Sequence, residues 1–394
     1  MRILFLTDNF PPEVNAPATR TYEHCKEWVK QGAQVTVITC TPNFPEGKVY
    51  KGYRNKWIQH EDMDGIHVIR VWTYITANEG FFKRILDYLS FMIASFLAGT
   101  TVKTDIIVAT SPQFFTAIAG RWLSFWKRKP WVMEIRDLWP ESITAVGASK
   151  RTLIIRFFEW LEKRMYRSAR KLVVVTDAFA QTLIDKHHIA PEKIAVVKNG
   201  ANLDLFKPQV KNVDLLKKLG LEDKVVIGYI GTHGMAHALD FVLKTAKQIE
   251  HTNYHFLLIG AGAKRKELLE LKDTLALSNV TMLESVSKQE VKEYISILDI
   301  GLVNLKKSDT FKSVIPSKIF ELAAMHKPIL LGVEGESAAI INNYGVGLTF
   351  EPENSTDLIN CLLAMQTKEF KYDQLLQDFD RRNLAIKMLN FLKD

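Results

Sequence analysis

The run Phe311-Lys312-Ser313-Val314-Ile315-Pro316-Ser317-Lys318-Ile319-Phe320-Glu321-Leu322-Ala323-Ala324-Met325-His326-Lys327-Pro328-Ile329-Leu330-Leu331-Gly332 decides how this chain is read. Pro316 and Ser317 open a helix, Lys327-Pro328 ends it, and Ile329 to Leu331 follows as a short buried strand. Ile319, Leu322 and Ala323 share one helix face, while Lys318 and Glu321 share another. A lysine in the first turn opposes the helix dipole, and an anion bound at the helix tip would reverse that penalty. A glutamate one turn further on suits the two hydrogen bonds of vicinal hydroxyls, as a ribose beside a diphosphate offers. The same residues also fit a solvated Lys/Glu pair on a surface helix.

Working outward, the 394 residues imply two domains, and 47% hydrophobic with 24% charged residues is a composition able to build large cores. Cys25, Cys40 and Cys361 are far apart without metal-ligand spacing, so a disulfide framework is not expected and a reducing compartment is the default. The net charge of +8 is uneven: residues 1–200 hold 28 Lys+Arg against 19 Asp+Glu, and the remainder holds 24 against 25. An anionic partner for the first half is implied. The most apolar window, Ile85 to Ala98, is too short to span about 30 Å of hydrocarbon, and the N-terminal apolar run is too short for a signal peptide.

In chain order, a buried strand within Met1 to Asp8 leads through a Pro-rich loop into a helix ending near Gly32, then into the strand Gln34 to Thr39. This pattern predicts a parallel sheet whose ligand crevice lies at the strand C-termini. Asp62-Met63-Asp64-Gly65 reads as a hairpin turn rather than a metal site. Three stretches mix Lys and Arg with aromatics: residues 81–100, Arg121 to Trp131, and Lys150 to Lys171. They suit an anionic lipid interface, or else they split into core aromatics and a wet charged face. No nucleic-acid module is recognised. The strand ending in Arg136-Asp137 puts a charge pair at the sheet edge, where Asp137 would orient a hydroxyl or take its proton and Arg136 would neutralise phosphate, unless the two are a plain salt bridge. Later, the strand Val225 to Ile230 runs into Gly231-Thr232-His233-Gly234 and a helix, a phosphate cradle by geometry.

The opening segment resembles the signature of the retaining, nucleotide-sugar-dependent glycosyltransferases of family four, which have the GT-B fold. The family pattern has two glutamates separated by seven residues, then Gly-x-Pro and a hydrophobic strand; Glu321 matches the second, and Ser313 stands where the first would be. Asn199-Gly200-Ala201-Asn202-Leu203-Asp204-Leu205-Phe206-Lys207-Pro208 is similar to a second family segment, and Asp137-Leu138-Trp139-Pro140-Glu141-Ser142 is typical of bacterial polysaccharide members. The resemblance implies an α/β GT-B architecture of two doubly wound Rossmann-like domains facing a central cleft. Residues 1–200 would form the acceptor-binding, membrane-facing domain, residues 201–370 the nucleotide-sugar domain, and residues 371–394 a helix crossing back to the first.

It further implies donor binding by Asn15 and Ala16 in place of a Gly-Gly pair, by Gly231, Thr232, His233 and Gly234, by Val286 through its backbone, and by Ser313, Ser317 and Glu321. Lys318, Asp137 and Arg136 would be catalytic, with no metal and no cofactor. The expected reaction moves a sugar, such as an N-acetylated amino or deoxyamino sugar of the N-acetylfucosamine kind, from a UDP-sugar to a polyprenyl-diphosphate-linked saccharide. It would run at the cytoplasmic, inner face of a bacterial membrane, in O-antigen or capsule synthesis, without nucleic acid. A UDP-sugar 2-epimerase of the same fold and a non-enzymatic membrane or nucleic-acid binder are the alternatives.

Overall fold

The computed structural model describes residues 1–44, 46–76, 81–111, 114–138 and 153–394. Trp139 to Ser142 of the family run, Pro112-Gln113, and the Lys150-Arg151 start of the third basic stretch lie outside the described residues. The chain divides into two compact units, Met1–Asn199 with Arg381–Asp394, and Gly200–Asp380.

Unit 1 contains β1 (Arg2–Leu6), α1 (Ala16–Lys30), β2 (Gln34–Cys40), β3 (Ile58–Met63), β4 (Ile66–Val71), α2 (Phe81–Thr101), β5 (Ile106–Thr110), α3 (Phe114–Lys127), β6 (Trp131–Ile135), α4 (Leu153–Ser168), β7 (Lys171–Val174), α5 (Asp177–Asp185) and β8 (Ile194–Val196). Its sheet has the order β3-β4-β2-β1-β5-β6-β7-β8, parallel except for the β3–β4 hairpin. Strands buried on both faces explain why β1, β5 and β6 read as unbroken apolar runs. In the hairpin turn Asp64 and Gly65 both take positive φ, 53° and 80°. The Asp62 carboxylate there accepts from the Gly65 N–H, and Asp64 pairs with Lys26.

Helices α2 and α3 pack together through Phe91, Leu123 and Phe115, leaving Leu86, Ile93 and Leu97 exposed on α2 and Trp122, Phe125 and Trp126 on α3. No described helix is long and apolar enough to cross a membrane. Two aromatics of the basic stretches are corrected to core: Trp131 is a β6 residue whose indole N–H donates to the Ser168 carbonyl, and Tyr166 is buried with its hydroxyl on Glu162. Both turn inward because the sheet needs their area and the ring polar atoms find partners there.

Unit 2 contains α6 (Val213–Leu219), β9 (Val225–Ile230), α7 (Leu239–Gln248), β10 (Tyr254–Ile259), α8 (Arg265–Thr274), β11 (Val280–Leu283), α9 (Lys288–Ser296), β12 (Ile300–Asn304), α10 (Lys318–Ala324), β13 (Ile329–Gly332), α11 (Glu336–Tyr344), β14 (Gly347–Thr349), α12 (Ser355–Met365) and α13 (Asp373–Asp378). Its sheet is wholly parallel with the order β11-β10-β9-β12-β13-β14. The order reverses between β9 and β12, so the loops leaving those strands diverge and open a crevice at their C-terminal ends. The unit ends at α13, after which α14 (Arg381–Lys393) lies on unit 1, where Leu384, Met388, Leu389 and Leu392 are buried and the Ala385 carbonyl accepts from the Trp28 indole at 2.8 Å.

Candidate active site

In unit 2 the loop after β9 and the start of α10 meet at the switch point. Gly231 has φ 149°, and a Cβ there would lie 2.4 Å from Lys318 Cε and 2.5 Å from Lys318 Nζ. Glycine suits this positive φ and lets the lysine end lie where it does. The Lys318 ammonium sits 3.8 Å from the centroid of the Tyr229 ring and makes no hydrogen bond among the described residues. Burial lowers its pKa to about 7, against the raising influence of Glu321 one turn further on. The loop is clamped from beneath: Gly231 N–H donates to the Ile259 carbonyl, His233 N–H to Ala261, and Lys264 N–H to His233. A Cβ on Gly260 would come within 1.8 Å of the Gly231 carbonyl oxygen, and one on Gly262 within 2.5 Å of that of His233.

His233 is fully buried with neither ring nitrogen partnered, and His237 Nδ1 is likewise unpartnered. Burial pushes both imidazoles down to about 4, with Arg265 and Lys318 adding to the effect on His233 and Lys318 on His237. They stand neutral near pH 7, and the cation placed against Gly231 is Lys318. The Tyr229 hydroxyl donates to the Thr232 carbonyl at 2.8 Å, leaving Thr232 exposed at the rim.

One local expectation is corrected, and the helix start at Pro316-Ser317 is observed. No helix follows Gly234 directly: a 3-10 turn at Met235–His237 intervenes, and α7 begins after Ala238, which is left-handed at φ 44°. Asn304 at the end of β12 imposes this by donating from Nδ2 to the carbonyls of His237 and Ala238. Ser317 has helical backbone (φ −61°, ψ −22°) and its hydroxyl caps nothing, because Pro316 has already fixed the chain for the turn, with its carbonyl accepting from Ile319. Helix α10 buries Ile319, Leu322 and Ala323, as the face pattern requires, and Glu321 is part-buried.

Ser313 ends the 3-10 turn before α10, with its hydroxyl donating weakly to Thr310 at 3.4 Å. That loop leans on Gly335, where a Cβ would meet the Lys312 carbonyl at 2.1 Å, and on Ser337, which donates to Val314 at 2.6 Å. Val286 is part-buried between β11 and the Ser287 capping box of α9. Neither Ser313 nor Val286 forms a hydrogen bond or ion pair with Lys318 among the described residues.

In unit 1 the switch point falls between β1 and β5. Asn15 caps α1, its Oδ1 accepting from Ala18 N–H at 2.9 Å while its Nδ2 donates to Asn9 at 2.6 Å, and Ala16 is the first helical residue. Arg20, one turn into α1, donates to Glu134 at 3.0 Å and to the Val197 and Lys198 carbonyls at 2.8 Å each. Glu134 lies on β6, just before Arg136 and Asp137. Arg136 and Asp137 follow β6 in a bend rather than within the strand, and the charge that supports Arg136 is Glu134. Burial lowers the Arg136 guanidinium to about 10, with Arg20 and Arg381 also lowering it, and Arg136 Nη1 is buried without a partner. Asp137 is part-buried beyond it at the strand end. Tyr229, Asn304, Arg20 and Glu134 were not singled out from sequence. The cue that Glu134 offered was a charge within an apolar strand, whereas Arg20 lies on a helix rich in other charges and offered none.

Compared with known proteins, residues 15–200 match the family described as glycosyl transferase 4-like domain, and residues 224–368 match glycosyl transferases group 1. Each half is thus a glycosyltransferase domain, and the chain is an enzyme of that class. It is 22% identical over 409 aligned residues, 100% of both chains, to WcaI of Escherichia coli (strain K12), whose name assigns it to colanic acid biosynthesis. It is 26% identical over 199 residues, 50% of this chain and 49% of the other, to TuaH of Bacillus subtilis (strain 168), whose name assigns it to teichuronic acid biosynthesis. Among solved structures, sucrose-phosphate synthase from Thermosynechococcus elongatus has a TM-score of 0.78 at 14% identity, covering 100% of this chain and 98% of that one. HepE from Anabaena, in complex with UDP and glucose, has a TM-score of 0.69 at 17% identity, covering 100% and 99%. This likeness establishes the fold as GT-B.

Proposed function

We propose that the enzyme transfers a sugar, with retention, from a UDP-sugar to a polyprenyl-diphosphate-linked saccharide in the synthesis of a bacterial surface polysaccharide of the O-antigen or capsule kind. An N-acetylated amino or deoxyamino sugar is the proposed cargo. The observation that carries the donor reading is Lys318: an ammonium without a hydrogen-bond acceptor, held against the Gly231 turn at a sheet switch point, with a glutamate one turn behind it. A diphosphate supplies the missing acceptor and its ribose hydroxyls reach Glu321. As the anomeric C–O bond breaks, charge grows on the departing diphosphate, and Lys318 stabilises it with those N–H groups of the Gly231 to Gly234 loop that do not already donate to Ile259 and Ala261. Asn15, Ala16, Val286, Ser313 and Ser317 are proposed to complete the donor contacts. Asp137 orients the acceptor hydroxyl or takes its proton, and Arg136 neutralises phosphate. The names of WcaI and TuaH support the polysaccharide setting, and the UDP complexes of HepE support the donor class.

The exposed α2–α3 face and the α4 aromatics Phe157 and Trp160 are proposed to rest on the anionic inner face of the membrane. Basic neighbours Arg121, Lys127 and Arg128 suit lipid phosphates there. A thermal-shift panel of UDP, GDP and ADP sugars tests the donor: stabilisation by a UDP-sugar is expected. Absence of any nucleotide effect contradicts an enzyme of this donor class, and nucleotide release without an acceptor-dependent product favours a 2-epimerase.

A further inference from the structure

We infer that Tyr229 is a positioning residue for the donor reaction: its ring seats the Lys318 ammonium on the Gly231 turn, in a place where the first acceptor oxygen to arrive is the diphosphate's. The inference rests on the UDP-sugar reading of unit 2 and adds a residue to it. The geometry is specific. A lysine stem is flexible enough to carry its charge into water, yet here the ammonium lies 3.8 Å from the ring centroid, in the space that a Gly231 side chain would fill. The aromatic face attracts the cation without consuming its three N–H donors. The ring itself cannot turn away, because Tyr229 is fully buried and its hydroxyl is tied to the Thr232 carbonyl at 2.8 Å.

The groups around this ammonium give the seat a consequence for protons. Glu321 on α10 is the charge that favours the protonated lysine, and His233 and His237, both flanking the Tyr229 ring at centroid distances of 6.1 and 6.0 Å, are neutral near pH 7. Arg265 and Glu284 pair with each other at 2.9 Å behind His233. Burial holds Lys318 at about 7 in the empty enzyme, whereas a bound diphosphate favours the ammonium. Nucleotide binding above pH 7 is therefore accompanied by proton uptake at Lys318, and affinity falls as pH rises from about 7 towards the ordinary lysine value.

Isothermal titration of the full chain with UDP at pH 8, in two buffers of different ionisation enthalpy, measures that uptake. About 0.9 proton per UDP is expected for the unaltered enzyme, from a lysine near 7 that becomes fully charged on binding, and none for Lys318→Gln. Tyr229→Phe keeps the ring and is expected to retain both the uptake and the pH slope. Tyr229→Leu releases the stem to solvent, where the lysine is already charged, so uptake and slope should disappear. Wild-type uptake and slope in Tyr229→Leu, or no uptake in the unaltered enzyme that nevertheless binds UDP, overturns the inference and leaves the donor reading standing. The unaltered enzyme's own uptake decides the matter if Tyr229→Leu does not fold. Failure of UDP to bind overturns both.

Discussion

Glu321 and Lys318 occupy one short helix, yet their losses should read differently in kinetics. The glutamate's proposed contacts are to the ribose, which does not change during transfer, so Glu321→Ala removes binding shared by ground and transition states. Charge-assisted hydrogen bonds are worth about 1.5–3 kcal/mol each, so loss of two should lower UDP affinity by at least about a hundredfold by calorimetry. Lys318 is proposed to meet charge that develops as the sugar departs. Lys318→Ala should lower kcat about 10²–10³-fold with a smaller change in donor affinity, and a pure affinity loss would remove its catalytic role. Asp137→Asn is expected to leave UDP affinity unchanged while slowing transfer about 10²–10⁴-fold; normal transfer would rule it out as base or orienter.

At the scale of elements, helices α2 and α3 present the clearest surface test. Phe125 is 88% exposed and Trp126 67%, so replacing both with Ser removes apolar area without opening the core. Flotation with vesicles containing anionic lipid should show binding that weakens with salt and drops in the double variant while the melting temperature stays put. Binding that persists unchanged would move the membrane contact elsewhere. Much of this level was legible in the sequence. Apolar runs separated by helical patterns mark a parallel sheet, and Asp64-Gly65 marks its turn because positive φ is a local demand. What the sequence concealed is set by distant contacts. Gly260 has to be glycine because the Gly231 carbonyl lies against it, and Arg20 is buried because Glu134, on a strand 114 residues away, receives it. Asn304 displaces the start of α7 in the same non-local way, so the loop after Gly234 looked like a simple strand-to-helix cradle. Lys318 and Glu321 were visible by their spacing; their neighbour Tyr229 was not, since an aromatic in a buried strand looks like core.

At the scale of the whole molecule, the last residues belong to the first unit. Deleting residues 381–394 uncovers the surface beneath Leu384, Met388, Leu389 and Leu392. At about 1.5–3 kcal/mol per large side chain this is about 6–12 kcal/mol, comparable with the whole stability of a domain, so the truncated chain should lose the cooperative melting of unit 1. Acid should also destabilise the fold. His233, His237 and His255 are each held at about 4 by burial, and burial lowers His24 as well. Between pH 6.5 and 4 the unfolded chain binds protons that the folded one does not, so stability falls as pH falls through that window. Melting temperatures at pH 7.5 and 5 should differ accordingly, and an unchanged value would mean these imidazoles are accessible to protons.

The central claim is that a nucleoside diphosphate is held by Lys318 and Glu321 of unit 2 without help from a metal ion. A crystal of the full chain grown with UDP in the presence of a metal chelator tests it most directly. The account predicts diphosphate oxygens within hydrogen-bonding distance of Lys318 Nζ and ribose hydroxyls on the Glu321 carboxylate. Nucleotide bound away from both residues, or bound only once manganese is supplied, would contradict it.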